Sequence, residues 1–117
     1  MRVNLDVAFW LKEKGYNELC DGYYLYNIYR DSLLKWRNSE ILFKFEHTYY
    51  TAPTVYSVAE WLRNTHKIHL SIEVSQVYFY FTISTIPNGN KLKSNKIYES
   101  FEEAYQEGLL YILQYLI

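Results

Sequence analysis

The chain has 117 residues, half of them hydrophobic and a fifth aromatic, with 12 basic and 13 acidic side chains and a formal net charge of −1. That apolar content excludes a disordered chain, and the length fits a single domain over residues 1–117. The balanced charge lacks the basic excess of a chain that lives on nucleic acid or anionic membrane, and no run approaches the ~20 apolar residues of a membrane span.

Asn4 is positioned to cap a first helix over residues 5–14, with Asp6 at its positive end and Leu5, Ala8, Leu11 and Trp10 on its apolar side. Lys12 and Lys14 fall in the last turn, Gly15 suits the left-handed residue that ends a helix, and Tyr16 closes the hydrophobic contact. NELCDG (17–22) is a polar connection, and Tyr23–Tyr29 reads as an aromatic strand. Between Asp31 and Lys44, SLLKW fits a short strand or a helical turn, RNSE a turn, and Ile41–Phe45 a further strand.

Thr51 or Thr54 beside Pro53 opens a second helix over 54–64, with Val55, Val58, Ala59 and Leu62 on one face and Asn64 at its end. Ile68, Leu70, Ile72 and Val74 then alternate with His69, Ser71, Glu73 and Ser75. Val77, Phe79, Phe81 and Ile83 alternate with Tyr78, Tyr80, Thr82 and Ser84. A very tight turn near Ser75 and Gln76 makes strands 68–75 and 77–85 an antiparallel hairpin whose apolar face meets the helices. PNGNKLKSNK (87–96) is a polar loop or a second hairpin turn around Asn88–Gly89, and Ile97 with Tyr98 adds a short strand.

Ser100 and Glu103 form the capping box of a last helix over 101–116, whose core stripe is Phe101, Ala104, Tyr105, Gly108, Ile112, Tyr115 and Leu116. Leu109, Leu110 and Leu113 widen that stripe past one face, because consecutive helical residues are ~100° apart. Two covers stay open for the second face: the helix at 5–14, or another copy of the chain in a homodimer. The expected class is therefore α+β, an antiparallel sheet built on a central hairpin with three helices packed on it, in the order α-β-(β)-α-β-β-(β)-α.

Catalytic constellations are missing from the pattern. His66 and His69 straddle a helix end and a strand start, and each has an ordinary explanation in the helix dipole or an exposed strand face. Cys20 lacks a neighbouring base, and Asp21 beside it opposes thiolate formation. Glu102, Glu103 and Glu107 are the solvated start of a capped helix. The expectation is a protein without catalytic residues, metal or cofactor. Cys20, alone, forms no internal disulfide, and the opening MRVNLDVAFW has no secretory pattern, so the expected compartment is the cytoplasm.

Tyrosine is the compositional outlier, with 14 copies. It packs on half-buried strands and also serves binding faces, because its ring is apolar and its hydroxyl is not. The candidate interaction surface comprises Tyr78, Tyr80, His69, Leu110 and Leu113, for a protein partner. The alternative is single-stranded nucleic acid, with Tyr78 and Tyr80 stacking bases while Lys91, Lys93 and Lys96 hold phosphate.

LDVAFWLKEKGYNELCDGYY, TAPTVYSVAEWLRNTHKIHLSI and YESFEEAYQEGL resemble a group of small uncharacterised proteins from gut anaerobes and their phages. The shared positions are Gly15, Cys20, Tyr23, Tyr24, Pro53, Thr54, Trp61, Leu62, Arg63, His66 and Ile68, while residues 26–50 fit no pattern of that group. The resemblance implies a phage or mobile-element origin and no activity. The helix–strand–strand–strand–helix order is also similar to double-stranded-RNA-binding domains, but where those place lysines this chain has Glu99, Glu102 and Glu103. The strand followed by SFEEA is similar to partial ribonuclease-H-like antitoxins, which bind a toxin rather than cut RNA.

Overall fold

A computed structural model describes residues 1–18, 20, 22–27, 32–33, 48–86 and 89–117. Their architecture is α+β and antiparallel, with three α-helices. The strands form two three-stranded sheets, and the chain divides into two compact units, Arg2–Thr54 and Met1 with Val55–Ile117.

In the first unit, helix α1 spans Leu5–Glu13. The Asn4 side chain accepts a 3.0 Å hydrogen bond from the Val7 amide, as its place before the helix predicts. At the other end the Tyr16 amide donates to Leu11 O (2.9 Å) and the Gly15 amide to Lys12 O (3.2 Å), with Gly15 at φ +83°. This paired arrangement satisfies two orphan carbonyls and requires a left-handed residue, which glycine supplies without strain. Val7, Ala8 and Leu11 form the buried face, so Val7 takes the place expected of Leu5 and Trp10, which are only half-buried.

Strand β1 (Tyr23–Asn27) pairs antiparallel with β2 (Ser32–Leu33) on one side and β3 (Thr48–Thr51) on the other. The sequence reading has no strand at β3, although its Thr-Tyr-Tyr-Thr composition is a strand signal. The expected strand at 41–45 and the end of the one at 23–29 lie outside the described residues. Tyr24 donates its hydroxyl to Val3 O at 2.6 Å, and the Arg2 guanidinium donates to Ala52 O at 2.8 Å.

The second unit runs α2 (Val55–Trp61), β4 (Ile68–Ser75), β5 (Tyr78–Thr85), β6 (Lys91–Lys93) and α3 (Phe101–Tyr115). Val55, Val58, Ala59 and Leu62 are buried as their spacing predicts. The helix does not stop at Asn64: it widens into a π-helical turn over Leu62–His66 and ends at Lys67, left-handed at φ 57°, whose amide reaches back to Leu62 O. Strands β4 and β5 form the expected hairpin, paired from Ile68↔Thr85 to Ser75↔Tyr78 around a two-residue turn with Gln76 at φ 58°.

The third strand is Lys91–Lys93 rather than Ile97–Tyr98. A turn through Gly89 (φ +70°) brings the chain back at Lys91, the Ser94 amide bonds Phe81 O, and residues 95–97 bulge outward before Tyr98 pairs with Phe79.

The Ser100 hydroxyl accepts from the Glu103 amide at 3.0 Å, opening α3 as the capping box predicts. This helix packs on β4, β5 and α2, and Ala104, Tyr105, Gly108, Leu109, Ile112 and Leu113 are buried. The stripe is thus rotated from the expected one: Leu109 and Leu113 are inside, while Phe101, Tyr115 and Leu116 are exposed. Two facing layers, hairpin and α2, accommodate an apolar arc wider than a single sheet would. The apolar face of the hairpin is buried only in its half remote from the turn. Ile68, Leu70, Phe81 and Ile83 are sealed, whereas Val74 is 63% exposed and Val77 75%, because both lie where the hairpin runs past its helical cover. No helix among the described residues is long and apolar enough to cross a membrane.

Candidate interaction surface

Directly opposed residues of antiparallel strands point to the same side of a sheet. The register therefore collects His69, Ser84 and Lys91, then Ser71, Thr82 and Lys93, then Glu73 with Tyr80 and Ser75 with Tyr78, on one polar face of the β4–β5–β6 sheet. Tyr78, Tyr80, His69, Lys91 and Lys93 are thus brought together as a set. Lys93 Nζ lies 4.4 Å from the centre of the Tyr80 ring, a cation–π distance that occupies one side of that ring.

The remaining candidates fall elsewhere. Lys96 sits in the bulge after β6 and lines a hollow with Phe81, Leu92, Tyr98 and Tyr111. Leu110 is half-buried on the flank of α3. Leu113 is fully buried, which removes it from any interaction surface; the rotation of the α3 stripe is the reason.

On the helix-facing side, the outer flank of α3 and the Ser94–Tyr98 bulge enclose an aromatic groove. Its floor is the Phe81 ring, only 4% exposed, stacked against Tyr98 (centroids 6.2 Å apart, 21° between planes) and 6.0 Å from Tyr111. Tyr115 extends the row, 5.1 Å beyond Tyr111 and itself 70% exposed. Two hollows sharing Phe81, Tyr98 and Tyr111 run along it, of about 230 and 170 Å³, the second closed by Glu107, Leu110 and Gln114. Burial raises the Tyr98 hydroxyl above the ordinary tyrosine range, and the carboxylates of Glu107 and Glu103 push it further up.

Sequence reasoning singles out Leu110 and Lys96 in this groove but neither Tyr98 nor Tyr111. A signal was present: Glu107, Leu110, Tyr111, Gln114 and Tyr115 follow helical spacing as a second stripe beside the core one. What the pattern lacked was the bulge that closes the groove opposite them.

His66 and Cys20 have local partners. His66 packs edge-on against Trp61, 4.7 Å between ring centres. Cys20 is a free thiol that donates to Gly22 O at 3.1 Å. Among the described residues no group of three or more His, Cys, Asp or Glu side chains is placed to hold a metal ion. The second unit realises the α-β-β-β-α order that resembles double-stranded-RNA-binding domains, with Glu102 and Glu103 in the first turn of α3. That negative charge opposes a phosphate backbone at the position where such domains use lysine. No family model, no curated protein and no solved structure matches this chain.

Proposed function

We propose that this chain is a non-catalytic accessory protein of a phage or mobile element, acting in the reducing cytoplasm by binding a protein partner. The observation that carries the reading is the aromatic groove beside α3. Three rings, Phe81, Tyr98 and Tyr111, line adjoining hollows, and Tyr115 and Leu92 stand exposed at their edges. Tyrosine rings in such a setting present rigid apolar area with a hydrogen-bonding tip, the composition enriched in the centres of protein interfaces. A photo-crosslinking side chain at Tyr111 is expected to capture one partner in native cells, and the same probe at exposed Glu60 is not. Capture of the same set of proteins from both positions overturns the reading.

A second reading rests on the polar sheet face, where Tyr78, Tyr80, Lys91 and Lys93 stand together as single-stranded nucleic acid would require. Against it, Lys93 already covers Tyr80, and Glu73 lies directly across from that ring. Titration of labelled oligonucleotides at low salt decides it: affinity weaker than millimolar eliminates the reading.

A further inference from the structure

The sheet of the second unit has two edges of opposite character. The β6 edge is short, carries Lys91 and Lys93, and is broken by the bulge at residues 95–97, all devices that discourage another strand from docking. The β4 edge has none of them. It runs eight residues from Ile68 to Ser75 with no proline, lysine or bulge, and among the described residues nothing pairs with its outer side.

The hydrogen-bond phase of β4 follows from its neighbours. The Ile86 amide donates to Lys67 O at 2.8 Å, so the pair preceding Ile68↔Thr85 is a bonded one. Bonded pairs alternate along an antiparallel ladder, which directs the amides and carbonyls of His69, Ser71, Glu73 and Ser75 to β5. Those of Ile68, Leu70, Ile72 and Val74 face the open edge. The far side of β5 agrees with this phase, since Phe79 and Phe81 bond Tyr98 and Ser94 there.

We propose that the β4 edge pairs antiparallel with β4 of a second copy about a twofold axis at Ser71, joining two sheets into one. This register is singled out because it alone uses all four outward-facing residues, Ile68 with Val74 of the second copy and Leu70 with Ile72, in mutually bonded pairs. It also satisfies the side chains on both faces. On the polar face His69 meets Glu73 of the second copy, and Glu73 meets its His69, an imidazole set beside a hydrogen-bond-accepting carboxylate, made twice by symmetry. On the other face the exposed Val74 comes to lie beside Ile68 of the second copy. Extending a sheet in this way draws its affinity from main-chain hydrogen bonds and its register from alternate side chains. The α3 flank is not needed as a seam, since Leu109 and Leu113 are already covered within the chain. The proposal is independent of the groove.

Sedimentation equilibrium at high micromolar concentration is expected to report twice the 14.2 kDa chain mass. A mass that stays at one chain overturns the proposal. The register has its own test. At Ser71, whose backbone groups bond β5, the two copies form a non-bonded pair with closely spaced side chains. In a Cys20→Ala background, Ser71→Cys should form an intermolecular disulfide on mild oxidation, and Ser75→Cys should not. Equal cross-linking at both positions overturns the register. His69→Glu sets carboxylate against carboxylate twice and should weaken the dimer about tenfold, with the hairpin intact by circular dichroism. Adding Glu73→Lys should restore it. A dimer indifferent to both changes is held by another surface.

Discussion

A methyl group on Gly108 would sit 2.7 Å from Leu70 Cδ1 and 3.2 Å from Phe81 Cγ, so the hydrogen at this position sets how closely α3 approaches the hairpin. Alanine gains up to about 1 kcal/mol of helix propensity over glycine, but crowding a packed interior costs about 1–3 kcal/mol. Gly108→Ala is expected to lower stability in urea, and the Gly108→Ala, Leu70→Ala double variant to lose less than the sum of the two single losses. Additive losses in the double variant would mean the two residues do not meet.

The rotation of the α3 stripe separates neighbouring leucines. Leu109→Ala and Leu113→Ala should each lose about 2–5 kcal/mol, the range for emptying a buried leucine. Leu110→Ala, on the half-buried flank, should lose clearly less. Comparable losses at Leu110 and Leu113 would contradict the stripe.

The end of α1 tests backbone strain without packing. Gly15 has φ +83° and nothing within 4 Å of where a Cβ would lie, so Gly15→Ala should cost about 1–2 kcal/mol through conformation alone. Gly15→Asn should cost less, because asparagine tolerates the left-handed region. At the helix starts, Asn4→Ala and Ser100→Ala should each cost about 1 kcal/mol by orphaning the Val7 and Glu103 amides.

Burial along the hairpin falls toward its turn. Native-state hydrogen exchange should find the amides of His69, Ser71, Thr82 and Ser84, which bond β4 to β5 on either side of Leu70↔Ile83, among the slowest and those at Val74–Tyr78 much faster. Phe81→Ala should cost about 3–5 kcal/mol. Val74→Ala should cost well under that, since Val74 is mostly exposed.

Alkaline pH should destabilise the protein through its tyrosines. Burial, helped by the neighbouring Cys20 and Glu18, lifts Tyr16 to about 12, and burial also raises Tyr24, Tyr98 and Tyr105. An unfolded tyrosine ionises near pH 10, so above about that pH the unfolded state holds fewer protons than the folded one. Stability is therefore fully present below pH 10 and falls as pH rises toward the folded values. Urea midpoints followed upward from neutral pH should show this decline, and Tyr16→Phe should make it shallower. An unchanged slope in that variant would place the Tyr16 hydroxyl in water.

Local rules determined much of this protein from sequence alone. Asn4, Gly15 and Ser100 mark helix ends because each satisfies orphan backbone groups within a few residues, and the alternation of Ile68–Ser84 defines a hairpin because a one-residue slip would expose its apolar face. Tertiary structure alone decided what depends on residues distant in the chain. Leu113 rather than Tyr115 faces the core because α2 and the hairpin together set the arc that α3 must bury. Val74 is exposed because the hairpin outruns that cover, a length no periodicity encodes. Lys93 joins Tyr80 while Lys96 turns to the groove because the bulge after Ser94 reverses which side of the sheet the chain serves. Periodicity reports which side of an element is apolar; what stands opposite it is settled only when the elements meet.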